Sequence, residues 1–212
     1  MTLFNWNNNN MTTLFFDLDG TLIDVTKRHL TVYHTVAAKM NIPLVSDQEY
    51  LRLKQEHHFP VPDEQKELFR RVYKEESEQK SVLHMDTVIP RVAELLETIH
   101  RTFRCVLVTK RYHRQNALSQ LDKLSLTSYF AEILTPNPES KASAITKSGF
   151  SPKDLVIGDT EEDILTAEKL HLSSVAVTWG VRSKEFLQTF SPTHIVETVD
   201  ALRGIIENTS KY

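Results

Sequence analysis

The sequence predicts an α/β protein, a parallel sheet with helices on both faces and a small all-helical insertion. Three observations lead there. The apolar run Leu14-Phe15-Phe16 meets the turn signal Asp17-Leu18-Asp19-Gly20-Thr21, as a buried strand does where it opens at its carboxyl end. From residue 85 onward, short apolar strands alternate with amphipathic helices, the order that builds a parallel sheet with right-handed crossovers. Between these parts, residues 26–84 contain no convincing strand. At 212 residues the chain can bury one sizeable core and carry a small accessory domain.

Each element follows from a local pattern. Residues 25–40 place Val25, His29, Val32, Val36 and Met40 at helical spacing, and Pro43 ends the run. Ser46-Asp47-Gln48-Glu49 fits a capping box that opens a second helix. His57-His58-Phe59-Pro60-Val61-Pro62 reads as a turn. Residues 63–79 read as one polar helix with Leu68, Phe69, Val72 and Tyr73 along a side. Pro90 is expected at the first position of the helix that carries Val92, Leu95, Leu96 and Ile99. A strand over 105–109, a helix near 116–124 and a short strand over 132–134 come next. After the loop Pro136-Asn137-Pro138, Ser140 caps a short helix. The strand over 154–159 ends in a carboxylate. A helix over 162–171, a strand over 175–178 and a helix over 199–207 complete the pattern.

Composition excludes several classes. Hydrophobic content of 40% and charged content of 25% are ordinary for a soluble globular chain. The net charge of -3 provides no basic field for nucleic acid, so a phosphate ligand must be held by local cations. The single cysteine, Cys105, excludes an internal disulfide framework and a Cys-rich zinc site. Within Cys105-Val106-Leu107-Val108 it reads as a buried strand thiol. No apolar stretch approaches the length of a membrane span. Residues 1–11 read as a disordered lead-in around Asn7-Asn8-Asn9-Asn10, with Met11 as an alternative start. They lack the basic-then-apolar pattern of a secretory signal, so the expected location is cytoplasmic.

Chemistry collects at the ends of the expected strands. Asp17 with Asp19, Thr109, Lys141 and Asp159 with Asp163 all fall where a strand ends or the next helix begins. In a parallel sheet these ends share one edge, where such folds bind ligands. Carboxylates, a hydroxyl and an ammonium converging there describe a magnesium-assisted phosphoryl-transfer site. Taken singly, each has a plain structural reading. Asp17 and Asp19 suit a turn, Asp159 a helix cap, Asp163 a first-turn acid, Thr109 a strand and Lys141 a helix surface.

The same residues resemble the haloacid dehalogenase superfamily, and within it phosphatases of the phosphoglycolate-phosphatase type. Asp17-Leu18-Asp19-Gly20-Thr21-Leu22-Ile23-Asp24 matches the first motif, and Thr109 after Val106-Leu107-Val108 the second. Lys141 matches the third, and Gly158-Asp159-Thr160-Glu161-Glu162-Asp163-Ile164 the fourth. Val175-Ala176-Val177-Thr178-Trp179-Gly180-Val181 and His194-Ile195-Val196 resemble the tail of such members. The likeness runs in order from residue 12 to 207. It implies a three-layer α/β/α Rossmann-like core over 12–25 and 85–212. It also implies a small helical cap of the C1 type over 26–84.

The resemblance also implies roles. Asp17 is expected as the nucleophile that forms an aspartyl-phosphate, and Asp19 as the acid and then the base. Magnesium is expected on Asp17, Asp159, Asp163 and the backbone carbonyl of Asp19. Thr109 would hold phosphoryl oxygens, and Lys141 would neutralise the carboxylates and the incoming phosphate. The Asp at position 19 separates phosphatases from dehalogenases, which protonate no leaving group. The second motif departs from the usual small polar continuation, reading Thr109-Lys110-Arg111, and Ala142 follows Lys141 where proline is common. Lys110 and Arg111 add cations for phosphate or for solvent. In the cap, His29, Arg52, Lys54, His57, His58, Arg70 and Arg71 are candidate contacts. His29 leads them, and Thr109, Lys110, His29 and Arg52 form the expected substrate set. The expected partner is a small phosphorylated metabolite. Two alternatives remain: a phosphomutase using the same intermediate on a sugar phosphate, and a non-catalytic binding module.

Overall fold

The structure is a computed structural model that describes residues 11–209. The lead-in expected over 1–11 therefore lies, but for Met11, outside the described residues. The chain opens with β1 (Thr13–Phe16), β2 (Ile23–Asp24), α1 (Thr26–Met40) and α2 (Asp47–Gln55). A 3-10 turn (Asp63–Gln65) leads into α3 (Lys66–Ser77) and α4 (Lys80–Leu83), then β3 (Thr87–Val88), α5 (Val92–Ile99) and β4 (Arg104–Val108). Next come α6 (Arg114–Lys123), β5 (Glu132–Leu134), α7 (Lys141–Ser148), β6 (Leu155–Gly158) and α8 (Glu161–Leu170). The chain ends with β7 (Ser173–Val177), α9 (Lys184–Gln188), β8 (His194–Val196) and α10 (Val199–Thr209).

The six-stranded sheet runs in the order β5-β4-β1-β6-β7-β8, with each neighbouring pair parallel. Its four inner strands, β4, β1, β6 and β7, are buried on both faces, as a doubly covered parallel sheet requires, and the edge strands β5 and β8 are half-buried. Period-two alternation sorts β1. Leu14 and Phe16 join the larger core with Val92, Leu95 and Leu96 of α5 and Leu202 and Ile206 of α10. Phe15 points the other way, to Ile145 of α7 and Ala167 of α8. This is the three-layer Rossmann-like architecture expected. The chain moves from β1 to β4 and β5, then returns to β6 on the other side of β1. Such a reversal opens a crevice at the carboxyl ends of the strands.

Between β2 and β3 stand α1, α2, α3 and α4, with no strand in the described residues of that stretch. They enclose a core of their own around Val32, Tyr33, Val36, Tyr50, Phe69 and Tyr73. The Tyr33 and Tyr50 rings stack at 4.1 Å. The two connections to the sheet domain are tied by β2 and β3, which pair antiparallel. Sequence reading missed this two-residue ribbon because it is too short to show periodicity. No described helix is long and apolar enough to cross a membrane.

Three local expectations need correction. Pro90 does not open α5, because Arg91 follows it at φ +69°, in the left-handed region, so the helix begins at Val92. The single helix expected over 63–79 is broken. Its end at Ser77 lets the Glu78 carboxylate accept from the Tyr112 N–H at 2.8 Å and from Asn116 Nδ2 at 2.9 Å. A contact with the sheet domain thus overrides helix propensity. The helix expected near 116–124 begins two residues earlier, at Arg114.

Candidate active site

The register of the sheet sets the site. Phe16 pairs with Leu107 on one side and Ile157 on the other, so Asp17, Thr109 and Asp159 leave three adjacent strands at one edge. The Asp17 N–H donates to the Ile157 carbonyl at 2.9 Å, fixing where its side chain emerges. Lys141 begins α7, whose N-terminus is capped by Ser140 accepting from the Ser143 N–H at 3.1 Å. Asp163 lies in the first turn of α8. Its Oδ2 accepts from the backbone N–H of Thr160 at 3.2 Å and from its hydroxyl at 2.8 Å.

The Lys141 ammonium donates to Asp17 Oδ1 and to Asp163 Oδ1, each at 2.7 Å. Asp159 accepts from the Val181 N–H at 2.6 Å and from the Thr21 hydroxyl at 3.1 Å. Oxygens of Asp17, Asp159 and Asp163 lie within 4.8 Å of one another, and all three residues are buried. Burial, with Asp163 and Asp159 adjacent, holds the Asp17 carboxyl well above the ordinary carboxylate range in spite of Lys141. Burial and Asp163 likewise push Asp159 up to about 7. Although burial opposes its charge, Asp163 and Asp17 hold the Lys141 ammonium above its ordinary value. Three buried carboxylates against one lysine form an oxygen-only set whose mutual repulsion a hard divalent cation would offset, and magnesium fits that set.

Glycines make the close approach possible. Gly20 has φ +80°, and a Cβ there would fall 2.2 Å from Asp159 Oδ2; at Gly180 it would fall 2.3 Å from Asp159 Cβ. Gly20→Ala is expected to lower the melting temperature, the left-handed backbone alone costing about 1–2 kcal/mol. By displacing Asp159 it should also weaken magnesium binding roughly tenfold or more. Calorimetric titration with magnesium checks this, and an unchanged affinity would remove Asp159 from the ligand set.

Asp19 faces elsewhere. Its half-buried carboxylate accepts from Arg111 Nε at 2.6 Å, Arg111 Nη2 at 2.7 Å and Arg28 Nη2 at 2.6 Å. Burial opposes its charge, but Arg111 and Arg28 hold the carboxyl below its ordinary value. Buried Asp86 accepts from Arg28 Nε at 3.1 Å and from Gln120 Nε2 at 2.7 Å, completing the network. The Asp19 side chain is therefore outside the acidic triad, and only its backbone carbonyl is left for the expected metal role. Arg111 turns out to be buried, not solvated, while Lys110 donates to the Glu139 carbonyl at 2.6 Å.

A cleft of about 280 Å³ runs between the helical insertion and the sheet edge. It is lined by Asp17, Asp19, Thr109, Lys110, Arg111 and Lys141 below and by Arg28, His29, Lys54 and Tyr73 above. His29 Nδ1 lies 2.6 Å from the Tyr73 hydroxyl, and burial followed by Lys54 and Arg28 keeps the imidazole neutral, well below its ordinary value. Arg52 does not reach the cleft. It is half exposed on α2, paired with Glu49 at 2.8 Å and Glu56 at 3.4 Å. His57 instead pairs with Glu161 at 2.5 Å. Arg182, from the loop after β7, donates to Glu161 at 2.8 Å and to the Lys54 carbonyl at 2.7 Å, joining insertion and core. Sequence reading missed Arg28, Asp86, Gln120 and Arg182. No spacing relates them, and only the fold brings positions 19, 28, 86, 111 and 120 together.

A family model described as haloacid dehalogenase-like hydrolase matches residues 14–177. The chain is 24% identical to a phosphoglycolate phosphatase of Synechococcus elongatus, across 93% of this chain and 98% of that one. It is 24% identical to the pyrophosphatase PpaX of Oceanobacillus iheyensis, across 92% and 96%. Its fold superposes with a TM-score of 0.77 on a haloacid dehalogenase-like family hydrolase from Streptococcus pneumoniae. That match is 22% identical and covers 92% of this chain and 98% of the other.

Proposed function

Because the chain belongs to the haloacid dehalogenase-like hydrolases, we propose that it is a cytoplasmic, magnesium-dependent phosphatase that hydrolyses a small phosphate monoester through an aspartyl-phosphate on Asp17. The observation that carries this reading is the convergence of Asp17, Asp159, Asp163 and Lys141 at one sheet edge. The phosphatase and pyrophosphatase names of full-length relatives support it. Residues 26–84 act as a cap that covers the cleft and excludes water.

In this mechanism Asp17, Asp159, Asp163 and the Asp19 carbonyl would hold magnesium, which would supply charge neutralisation at the phosphoryl oxygens. An Asp17 carboxylate oxygen attacks phosphorus, and the bond to the ester oxygen breaks as the new bond forms. The departing oxygen takes a proton from Asp19 and leaves as an alcohol. Lys141 and Thr109 hold the transferring oxygens, Lys141 also balancing the charge of Asp17 and Asp163. Asp19 then takes a proton from water, whose oxygen attacks the phosphoryl group and restores the Asp17 carboxylate. Arg28 and Arg111 favour the ionised Asp19 that this second half needs. Proton donation in the first half calls for a substrate that draws those guanidiniums away.

A panel of phosphate esters assayed with and without magnesium tests the reading. Free phosphate should appear only with magnesium, and phosphorus NMR should show no isomerised sugar phosphate. Absence of phosphate release from every ester would overturn it. Asp19→Asn should slow alkyl esters at least about a hundredfold, near 2.7 kcal/mol, and activated aryl phosphates much less. Equal losses for both classes would remove the acid role from Asp19.

A further inference from the structure

Lys54, at the C-terminal end of α2, is 8% exposed and lines the cleft. Its ammonium lies 5.5 Å from the centroid of Phe59 and 5.0 Å from that of Tyr73. The other buried cations of the cleft are paired: Arg28 and Arg111 on Asp19, Arg182 on Glu161, and Lys141 on Asp17 and Asp163. Among the described residues no carboxylate or carbonyl accepts from the Lys54 ammonium. Across the cleft, Arg111 Nη1 is buried without a partner. A lysine that only covered two aromatic rings would be better replaced by methionine or leucine, since burying an uncompensated charge is costly.

We propose that Lys54 is a specificity-determining residue, the centre of a cap subsite for an anionic group on the leaving part of the substrate. This rests on the phosphatase reading above. The phosphoryl group would sit at the Asp17 and Lys141 end, and a carboxylate or second phosphate would take the Lys54 end. A cleft of about 280 Å³ suits a molecule of that small size. The anion would supply the partner that Lys54 lacks.

Charge on Lys54 is conditional. Burial, then Arg182 and Arg28, bring its pKa down to about 7, while Asp159 and Asp19 act in the opposite sense. Of the other groups around it, His29 is neutral in this range and the Tyr73 phenol is raised by burial. The subsite therefore carries its charge below about pH 7 and loses it above, unless an anion holds the proton in place.

The test compares 2-phosphoglycolate with its carboxamide, so that effects at the phosphoryl end cancel in the ratio of kcat/KM. Wild type should prefer the carboxylate by roughly thirtyfold at pH 6.5, and the ratio should fall about tenfold per unit above pH 7. Lys54→Met should bring the ratio near one. Lys54→Arg should retain a preference that no longer declines with pH, a readout that lost packing would not produce. Ethylene glycol bisphosphate against ethyl phosphate, both with alkoxide leaving groups, repeats the comparison for a second phosphate as the anion. A wild-type ratio near one in both pairs, or an unchanged ratio in Lys54→Met, overturns the proposal. Asp17-dependent turnover of an aryl phosphate alongside that result would leave the phosphatase reading intact. If no ester is turned over, calorimetric binding of the same pairs decides the subsite by the same ratios.

Discussion

Asp17→Asn is expected to abolish turnover, by at least about ten-thousandfold or some 5.5 kcal/mol of barrier, in a protein that stays folded. The amide keeps the shape of the carboxylate but is a poor nucleophile and a poor ligand for a hard cation. The fold should tolerate it. Asp17 sits among Asp159 and Asp163, where burial and like charge already disfavour its ionised form. A neutral group removes that repulsion, and Lys141 keeps its contact with Asp163. The melting temperature without magnesium should therefore hold or rise, while magnesium affinity falls. Trapping with beryllium fluoride, which mimics a phosphorylated carboxylate, should fail in the variant. Residual turnover within about tenfold of wild type, near 1.4 kcal/mol, would exclude Asp17 as the nucleophile.

Lys141→Ala should cost at least about a hundredfold in activity, near 2.7 kcal/mol, and Lys147→Ala almost nothing. Both lie on α7, six residues apart, which is about 240° of net helical rotation. Lys141 is 3% exposed and joined to two carboxylates, whereas the Lys147 side chain is 66% exposed and pairs with Glu139 at 2.6 Å. Removing one member of a buried ionic group leaves the others uncompensated, at a cost of about 3–5 kcal/mol unless a carboxylate takes up a proton. Lys141→Ala should thus also lower the melting temperature, least at low pH, where Asp17 and Asp159 are protonated. Magnesium and phosphate binding should weaken together. Steady-state kinetics of the two variants decide the matter, and the reverse ranking would assign the third motif to Lys147.

The residues of the acidic cluster were legible because each stands at a strand end or in a first helical turn, and a parallel sheet brings such ends to one edge. Asp17 follows the apolar run of β1, Asp159 follows β6, and the Ser140 cap sets where Lys141 begins α7. These are local signals with a period or a cap behind them. The ribbon β2-β3 and the break after Ser77 have no such signal, since one is too short and the other answers a distant contact at Tyr112 and Asn116. Lys110 and Arg111 show the same limit in adjacent positions. Identical in charge and equal in sequence context, one reaches a surface carbonyl and the other is buried on Asp19.

The sequence by itself determined the α/β class, the helical insertion and the placing of Asp17, Thr109, Lys141, Asp159 and Asp163. Alternation, capping and strand-end position act over a few residues, so they are written in the local sequence. Only the tertiary structure decided where the side chains of the insertion point. It turned Arg52 to solvent, drew Arg28 onto Asp19 and left Lys54 buried without a counter-charge. Those outcomes depend on how the helices of residues 26–84 dock over the sheet edge. Docking is settled by burial and by charge pairs between positions far apart in the chain, where sequence spacing carries no information.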